Sequence, residues 1–213
     1  MKKQPSVTTV FLDVGGVLLT NGWDRRSRLL ASQTFDFEHD EMESRHHLLF
    51  DTFEIGKLTL EQYLDKVVFY RKRQFTRDDF KTFMFEQSKP FPKMIEWASS
   101  LKVHGLKVAI INNESKELND YRIKTFKLGS IADFFISSCN VRLRKPDEEI
   151  FHLAMDIAQV PAEQALFIDN TPMYIEIAEQ LGIKSILHTD YESTCSKFST
   201  FLANNDLKKM CCR

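Results

Sequence analysis

The chain has 213 residues, 43% hydrophobic and 28% charged, with a formal net charge of −1, enough for one good-sized domain or a core with a small accessory domain. That balance excludes a strongly basic nucleic-acid binder and a polybasic membrane-surface protein, and no stretch approaches the roughly 18 apolar residues of a membrane span. Cys139, Cys195, Cys211 and Cys212 form no C-x-x-C pair, so neither a zinc site nor a disulfide framework is expected, and a reducing, cytoplasmic setting is.

The opening Met1-Lys2-Lys3-Gln4-Pro5 is too polar for a signal peptide. The run Thr8 to Leu12 then predicts a buried strand that breaks at Asp13-Val14-Gly15-Gly16 into a glycine turn. Only helix signals follow across residues 21–90. Thr59-Leu60-Glu61-Gln62 is a capping box leading into apolar Leu60, Tyr63, Leu64 and Val67 at helical spacing. Thr76 with Asp78 and Asp79 opens another helix, carrying Phe80, Phe83 and Met84. This segment holds 12 basic and 13 acidic side chains, so it is no basic clamp for nucleic acid.

From Phe91 onward strands and helices alternate. Lys107–Ile111, Phe134–Ser138, Ala165–Ile168 and Ser185–His188 read as strands, with amphipathic helices around Met94–Leu101, Ile150–Ile157 and Ile175–Leu181. Alternation of this kind predicts an α/β fold, a Rossmann-like parallel sheet flanked by helices. Residues 1–20 and 91–213 form the expected core and 21–90 an inserted all-helical cap. The last residues, including Cys211 and Cys212 beside Lys208 and Lys209, read as a frayed tail rather than an acylation site.

In a parallel sheet, ligands bind beyond the carboxyl ends of the strands. Asp13, Asn112-Asn113 and Asp169-Asn170 each end a predicted strand, and Lys145-Pro146 sits between the last two, with Pro146 expected in the first turn of the following helix. Two acids, amides and a lysine therefore gather on one edge, where carboxylates ending buried strands must be solvated, paired or metal-bound. His46-His47 lacks a third ligand at zinc spacing and reads as a packed or solvated pair. Arg25, Arg26, Arg28 and Arg45 read as solvated helix charges with a lesser chance of reaching an anion, Trp23 as either a crevice wall or a helix staple, and the Phe80-Phe83-Phe85 stripe as cap core.

These residues carry a family resemblance. Phe11-Leu12-Asp13-Val14-Gly15-Gly16-Val17, Val108-Ala109-Ile110-Ile111-Asn112-Asn113, Lys145-Pro146 and Leu166-Phe167-Ile168-Asp169-Asn170 resemble, in order and spacing, the four motifs of the haloacid dehalogenase-like hydrolase superfamily. The resemblance implies Asp13 as nucleophile, forming an aspartyl-phosphate, and Lys145 as the neutralising cation. It also implies phosphate held by Asn112, Asn113 and Lys145, and Mg²⁺ held by Asp13, Gly15, Asp169 and Asn170. The expected ligand is a small phosphorylated metabolite, with no nucleic acid or membrane partner and the oligomeric state left open.

Three positions depart from the family pattern. Gly15 replaces the acid that protonates the leaving group, a loss worth roughly 10²–10⁴ in rate. Asn112 replaces a hydroxyl, and Asn170 replaces a second acid and weakens the charge on a cation. The leading expectation is thus a Mg²⁺-dependent phosphatase attenuated at Gly15 and Asn170. A catalytically degenerate phospho-ligand or partner-binding protein is the alternative, and a dehalogenase the lesser one.

Overall fold

Short apolar runs bounded by turns become five strands: β1 (Thr9–Leu12), β2 (Lys107–Asn112), β3 (Phe134–Ser137), β4 (Ala165–Asp169) and β5 (Lys184–Leu187). In the computed structural model, which describes residues 7–201, they form one all-parallel sheet in the order β3-β2-β1-β4-β5. Each strand end lies within a residue or two of its expected position.

Period-two alternation along the strands sorts the core into two layers. Val10, Leu12, Val108, Ile110, Leu166 and Ile168 face one way and pack on Trp97 and Leu101 of α5 (Pro92–Val103) and Phe198 of α10 (Tyr191–Phe201). Phe11, Ala109, Ile111 and Phe167 face the other way, against Phe151 of α8 (Glu148–Ala158) and Ala178 of α9 (Pro172–Gln180). Because both faces are covered, the strands read as continuous apolar runs. Two further helices, α6 (Lys116–Thr125) and the single turn α7 (Ser138–Val141), follow β2 and β3.

Between β1 and α5 the chain forms only helices: α1 (Arg25–Thr34), α2 (His39–Glu54), α3 (Leu60–Val67) and α4 (Arg77–Glu86). The expected capping box closes, Thr59 with Gln62, and the helix start expected at Thr76 is a second box, with Asp79. The four helices pack around an apolar cluster built on Trp23, Met42, Phe53, Tyr63, Phe80 and Met84, which Leu118 of α6 joins, with Phe83 and Phe85 packed against it. The chain leaves and re-enters the α/β part through adjacent segments, with Thr20 donating to the Lys89 carbonyl and Phe91 to the Leu18 carbonyl. No helix among the described residues is long and apolar enough to cross a membrane. Cys139 and Cys195 are buried, while Cys211 and Cys212 lie outside the described residues.

Candidate active site

Strand register brings the two acids together. Leu12 pairs with Ile168, so Asp13 and Asp169, the next residue on each strand, stand side by side at the carboxyl ends of β1 and β4. Those are the strands at which the sheet order switches direction, where ligands bind in such sheets. Neighbouring strands lie only about 4.8 Å apart, so two buried carboxylates there repel unless a cation intervenes.

Lys145 is that cation. Its Nζ donates to Asp13 Oδ1 at 2.9 Å and to Asp169 Oδ2 at 2.5 Å, with 1% of its side chain exposed. The Tyr174 ring lies 5.0 Å from the ammonium. Burial works against the charged lysine, but Asp13 and Asp169 outweigh it and hold the group protonated well above the usual range. Burial likewise pushes the Asp13 carboxyl up to about 6, against the pull of Lys145 and with repulsion from Asp169. Asp169 Oδ1 accepts from the Thr171 amide at 2.8 Å, at the foot of α9, so it also orders that helix start.

The amides divide their work. Asn113 clamps the lysine backbone, donating from Nδ2 to the Lys145 carbonyl at 2.7 Å and accepting the Lys145 N–H at 2.9 Å. Pro146 does not sit in the helix turn as expected. It follows a cis peptide, and α8 starts at Glu148 with Asp147 as its N-cap. Asn112 is not brought into the crevice either. Its Nδ2 donates to Asn119 Oδ1 at 3.0 Å and its Oδ1 accepts from Ser137 Oγ at 2.8 Å, because an amide is long enough to reach α6 and β3. Those bonds occupy the side chain that was expected to hold phosphate.

The two glycines of the β1 turn are unlike each other. Gly16 has φ +77° and a Cβ there would fall 2.0 Å from Asn170 Nδ2, so only glycine fits. Gly15 has no such φ, and its nearest neighbours to a Cβ are Asn21 Oδ1 at 3.3 Å and Arg122 Nη1 at 3.7 Å. The backbone therefore does not demand glycine at 15.

Above these groups lies a crevice of about 350 Å³, walled from below by Asp13, Gly15, Asn113, Lys145 and Asn170 and from the helical side by Trp23, Arg25, Arg28, His46 and Glu54. The helical wall is held by side chains. Arg28 makes a bidentate pair with Glu43, both bonds at 2.7 Å, and donates to the Trp23 carbonyl. Trp23 Nε1 donates to Tyr63 Oη at 2.9 Å, and Tyr63 Oη shares a 2.8 Å hydrogen bond with His46 Nδ1. Burial, with nearby Arg28, keeps the His46 ring neutral by pushing it down to about 3. Arg26 lines a different depression, and Arg45 pairs with Glu41 and stacks on Tyr70.

Reading the sequence missed Arg122, Glu54 and Tyr174. Arg122 is 2% exposed, pairs with Glu114 at 2.9 Å, and donates to Ser88 Oγ and the Thr20 carbonyl. A single arginine within a helix gives no local sign of burial. Among the described residues no group of three or more His, Cys, Asp or Glu is arranged to hold a metal. A divalent ion here would rest on the carboxylates of Asp13 and Asp169, completed by the Asn170 amide oxygen and the Gly15 carbonyl. Those are hard oxygen donors, and two buried carboxylates share a single ammonium, so the set fits a hard cation in kind.

Residues 32–188 match the family model described as haloacid dehalogenase-like hydrolase. A HAD family enzyme from Bacteroides thetaiotaomicron, solved in complex with magnesium and inorganic phosphate, superposes with a TM-score of 0.75 at 18% identity, covering 86% of this chain and 94% of that one. The putative pyrophosphatase PpaX of Caldanaerobacter subterraneus is 26% identical over 91 residues, 43% of this chain and 41% of its own length. Bifunctional epoxide hydrolase 2 of Sus scrofa is 27% identical over 104 residues, 47% of this chain and 19% of its own. The chain thus spans well under half the length of these curated relatives.

Proposed function

The chain belongs to the haloacid dehalogenase-like hydrolase family, and from that footing we propose that it is a Mg²⁺-dependent phosphatase of a small phosphorylated metabolite. The observation that carries this reading is the Asp13–Lys145–Asp169 triad at the sheet switch point. A nucleophilic carboxylate must stay ionised and approach a phosphate dianion, and a buried ammonium bonded to that carboxylate favours both. Magnesium and phosphate in the Bacteroides enzyme and a pyrophosphatase among the relatives support the same reading.

In this scheme one Asp13 oxygen attacks phosphorus while the ester oxygen leaves, giving an aspartyl-phosphate that water then hydrolyses. Lys145 neutralises Asp13 before attack and the phosphoryl oxygens during it. Asn113 positions Lys145 through its backbone clamp. Asp13, Asp169, Asn170 and the Gly15 carbonyl would hold Mg²⁺, which when bound adds Lewis-acid stabilisation of phosphoryl charge. Helices α1–α4 serve as a cap that narrows access and selects the group attached to phosphate. Purified protein incubated with p-nitrophenyl phosphate and a panel of sugar and alkyl phosphates is expected to release phosphate with Mg²⁺ and not with EDTA. Absence of release from every substrate contradicts the reading.

One observation favours a second reading. With Gly15 in place of an acid, the turn after β1 carries no carboxyl to protonate a leaving oxygen, which suits a protein that binds phosphorylated ligands without turning them over. Phosphate binding by calorimetry, with no hydrolysis of any substrate in the panel, separates this reading from the first.

A further inference from the structure

We propose that Glu54, the last residue of α2, is the general acid–base catalyst of the phosphoryl transfer proposed above, supplying from the helical side the carboxyl that Gly15 lacks. The inference rests on that phosphatase reading. It starts from the proton-carrying side chains that line the crevice besides Asp13 and Lys145: Asp24, His46, His47, Glu54, Glu114 and Tyr174. Five of them are disqualified by their surroundings. Asp24 caps α1 through a 2.8 Å bond from the Ser27 amide. His46 is held neutral with Nδ1 occupied by Tyr63. His47 lies largely in solvent, 3.7 Å from Glu43. Glu114 spends one oxygen on the Ser115 amide and the other on Arg122. Tyr174 is pushed above its ordinary range, chiefly by burial, and gives up its proton too reluctantly.

Glu54 differs in how its inner oxygen is used. Oε2 is buried 2.9 Å from Arg144 Nη2, an ion-pair contact in which that oxygen is left without a hydrogen-bond partner. The carboxyl is thus held beside a cation and lines the crevice without its inner oxygen being spent on a hydrogen bond, as a proton carrier needs. Its backbone is pinned across the two halves of the molecule, since Ser138 Oγ donates to the Glu54 carbonyl at 2.7 Å and Arg142 Nη1 to the Ile55 carbonyl at 2.5 Å. The position is thus set relative to the strand ends, not merely to the other helices. Arg144, which directly precedes Lys145, ties the acid to the loop that carries the buried ammonium.

The charges facing Glu54 are Arg144 with its second partner Asp51, Arg142, Glu114, Lys145 and Tyr174. Burial pushes the carboxyl up to about 7, with Arg144 opposing and Glu114 adding to the rise, so both protonation states are populated near neutrality. In the first step Asp13 bonds to phosphorus, the phosphorus–ester bond breaks, and the Glu54 proton passes to the departing ester oxygen. In the second, water bonds to phosphorus, its proton passes to the Glu54 carboxylate, and the phosphorus–Asp13 bond breaks. Each residue is thereby restored, and the net reaction is ester plus water to alcohol plus phosphate.

The test compares wild type with Glu54→Gln and Glu54→Ala on an alkyl phosphate and on p-nitrophenyl phosphate, in Mg²⁺. Glu54→Gln should lower kcat/KM for the alkyl phosphate by about 10²–10⁴ and abolish the alkaline limb near pH 7. On p-nitrophenyl phosphate, whose leaving group needs no proton, it should show a burst of one nitrophenolate per enzyme before a slow steady state. Added formate should restore turnover to Glu54→Ala, which the loss of a merely structural Arg144 partner would not allow. Wild-type rates and an unchanged pH profile in Glu54→Gln overturn the proposal while leaving the phosphatase reading intact. A slow variant that shows neither burst nor formate rescue also overturns it, and a wild type inactive on both substrates overturns both readings.

Discussion

The strand-borne floor of the crevice and its helical wall are built by different means. On the floor, charges are placed by backbone register: Asp13 and Asp169 are neighbours because Leu12 pairs with Ile168, and Lys145 is held by a backbone clamp from Asn113. On the wall, polar groups are placed by one another, as in Arg28 with Glu43 and Trp23 with Tyr63 and His46. Register is a property of the whole sheet and resists point substitution, whereas a side-chain relay can be rebuilt residue by residue. The floor is suited to chemistry held in common with relatives and the wall to choosing what the chemistry acts on.

Removing the floor's one cation is the harshest way to probe that contrast. Lys145→Met leaves Asp13 and Asp169 buried and uncompensated, and breaking a buried pair in this manner costs about 3–5 kcal/mol. Denaturant unfolding at pH 7.5 should show that loss, and lowering the pH should recover part of it as the carboxylates protonate. A stability unchanged from wild type would mean that the three groups do not share one buried network.

The wall has its own signature in acid. His46 titrates at about 3 in the fold and 6.5 in the unfolded chain, so its contribution is fully present above pH 6.5 and is lost progressively as pH falls toward 3. Relative to His46→Gln, which keeps an acceptor for Tyr63 but does not titrate, wild type should lose about 2 kcal/mol between pH 7 and pH 5. Parallel stability curves for the two proteins would contradict the neutral relay.

The turn glycines give the smallest and most local comparison. Gly16→Ala should destabilise by about 1–3 kcal/mol, because it forces a Cβ onto Asn170 at positive φ. Gly15→Ala should stay within about 0.5 kcal/mol. Equal costs at the two positions would show that Gly15 is demanded by the turn, and that the missing carboxyl follows from backbone geometry.

The same contrast explains what was legible beforehand. Runs such as Thr8–Leu12, Val108–Ile111 and Leu166–Ile168 announced a two-faced parallel sheet, and Asp13 and Asp169 at the ends of such runs, with Lys145 between the later ones, stood out as a gathering. The Thr59–Gln62 capping box and the helix start at Thr76 were visible because their donors and acceptors lie within three residues of each other. Asn112 was misjudged because residue type does not reveal which neighbour an amide will reach, and here Asn119 and Ser137 take it. Pro146 preceded its helix rather than entering it, since Asp147 takes the capping position. Arg122 and Glu54 were invisible because their burial arises where α6 and α2 meet the strand ends, a contact between segments far apart in the chain.

Asp13 as the phosphoryl acceptor is the claim on which the function rests. Acid-quenched wild type after brief exposure to p-nitrophenyl phosphate and Mg²⁺, digested and mapped by mass spectrometry, should carry one phosphoryl group on the peptide containing Asp13, and Asp13→Asn should carry none and release no phosphate. Phosphate release that persists in Asp13→Asn, with no adduct on the wild-type peptide, would contradict the account.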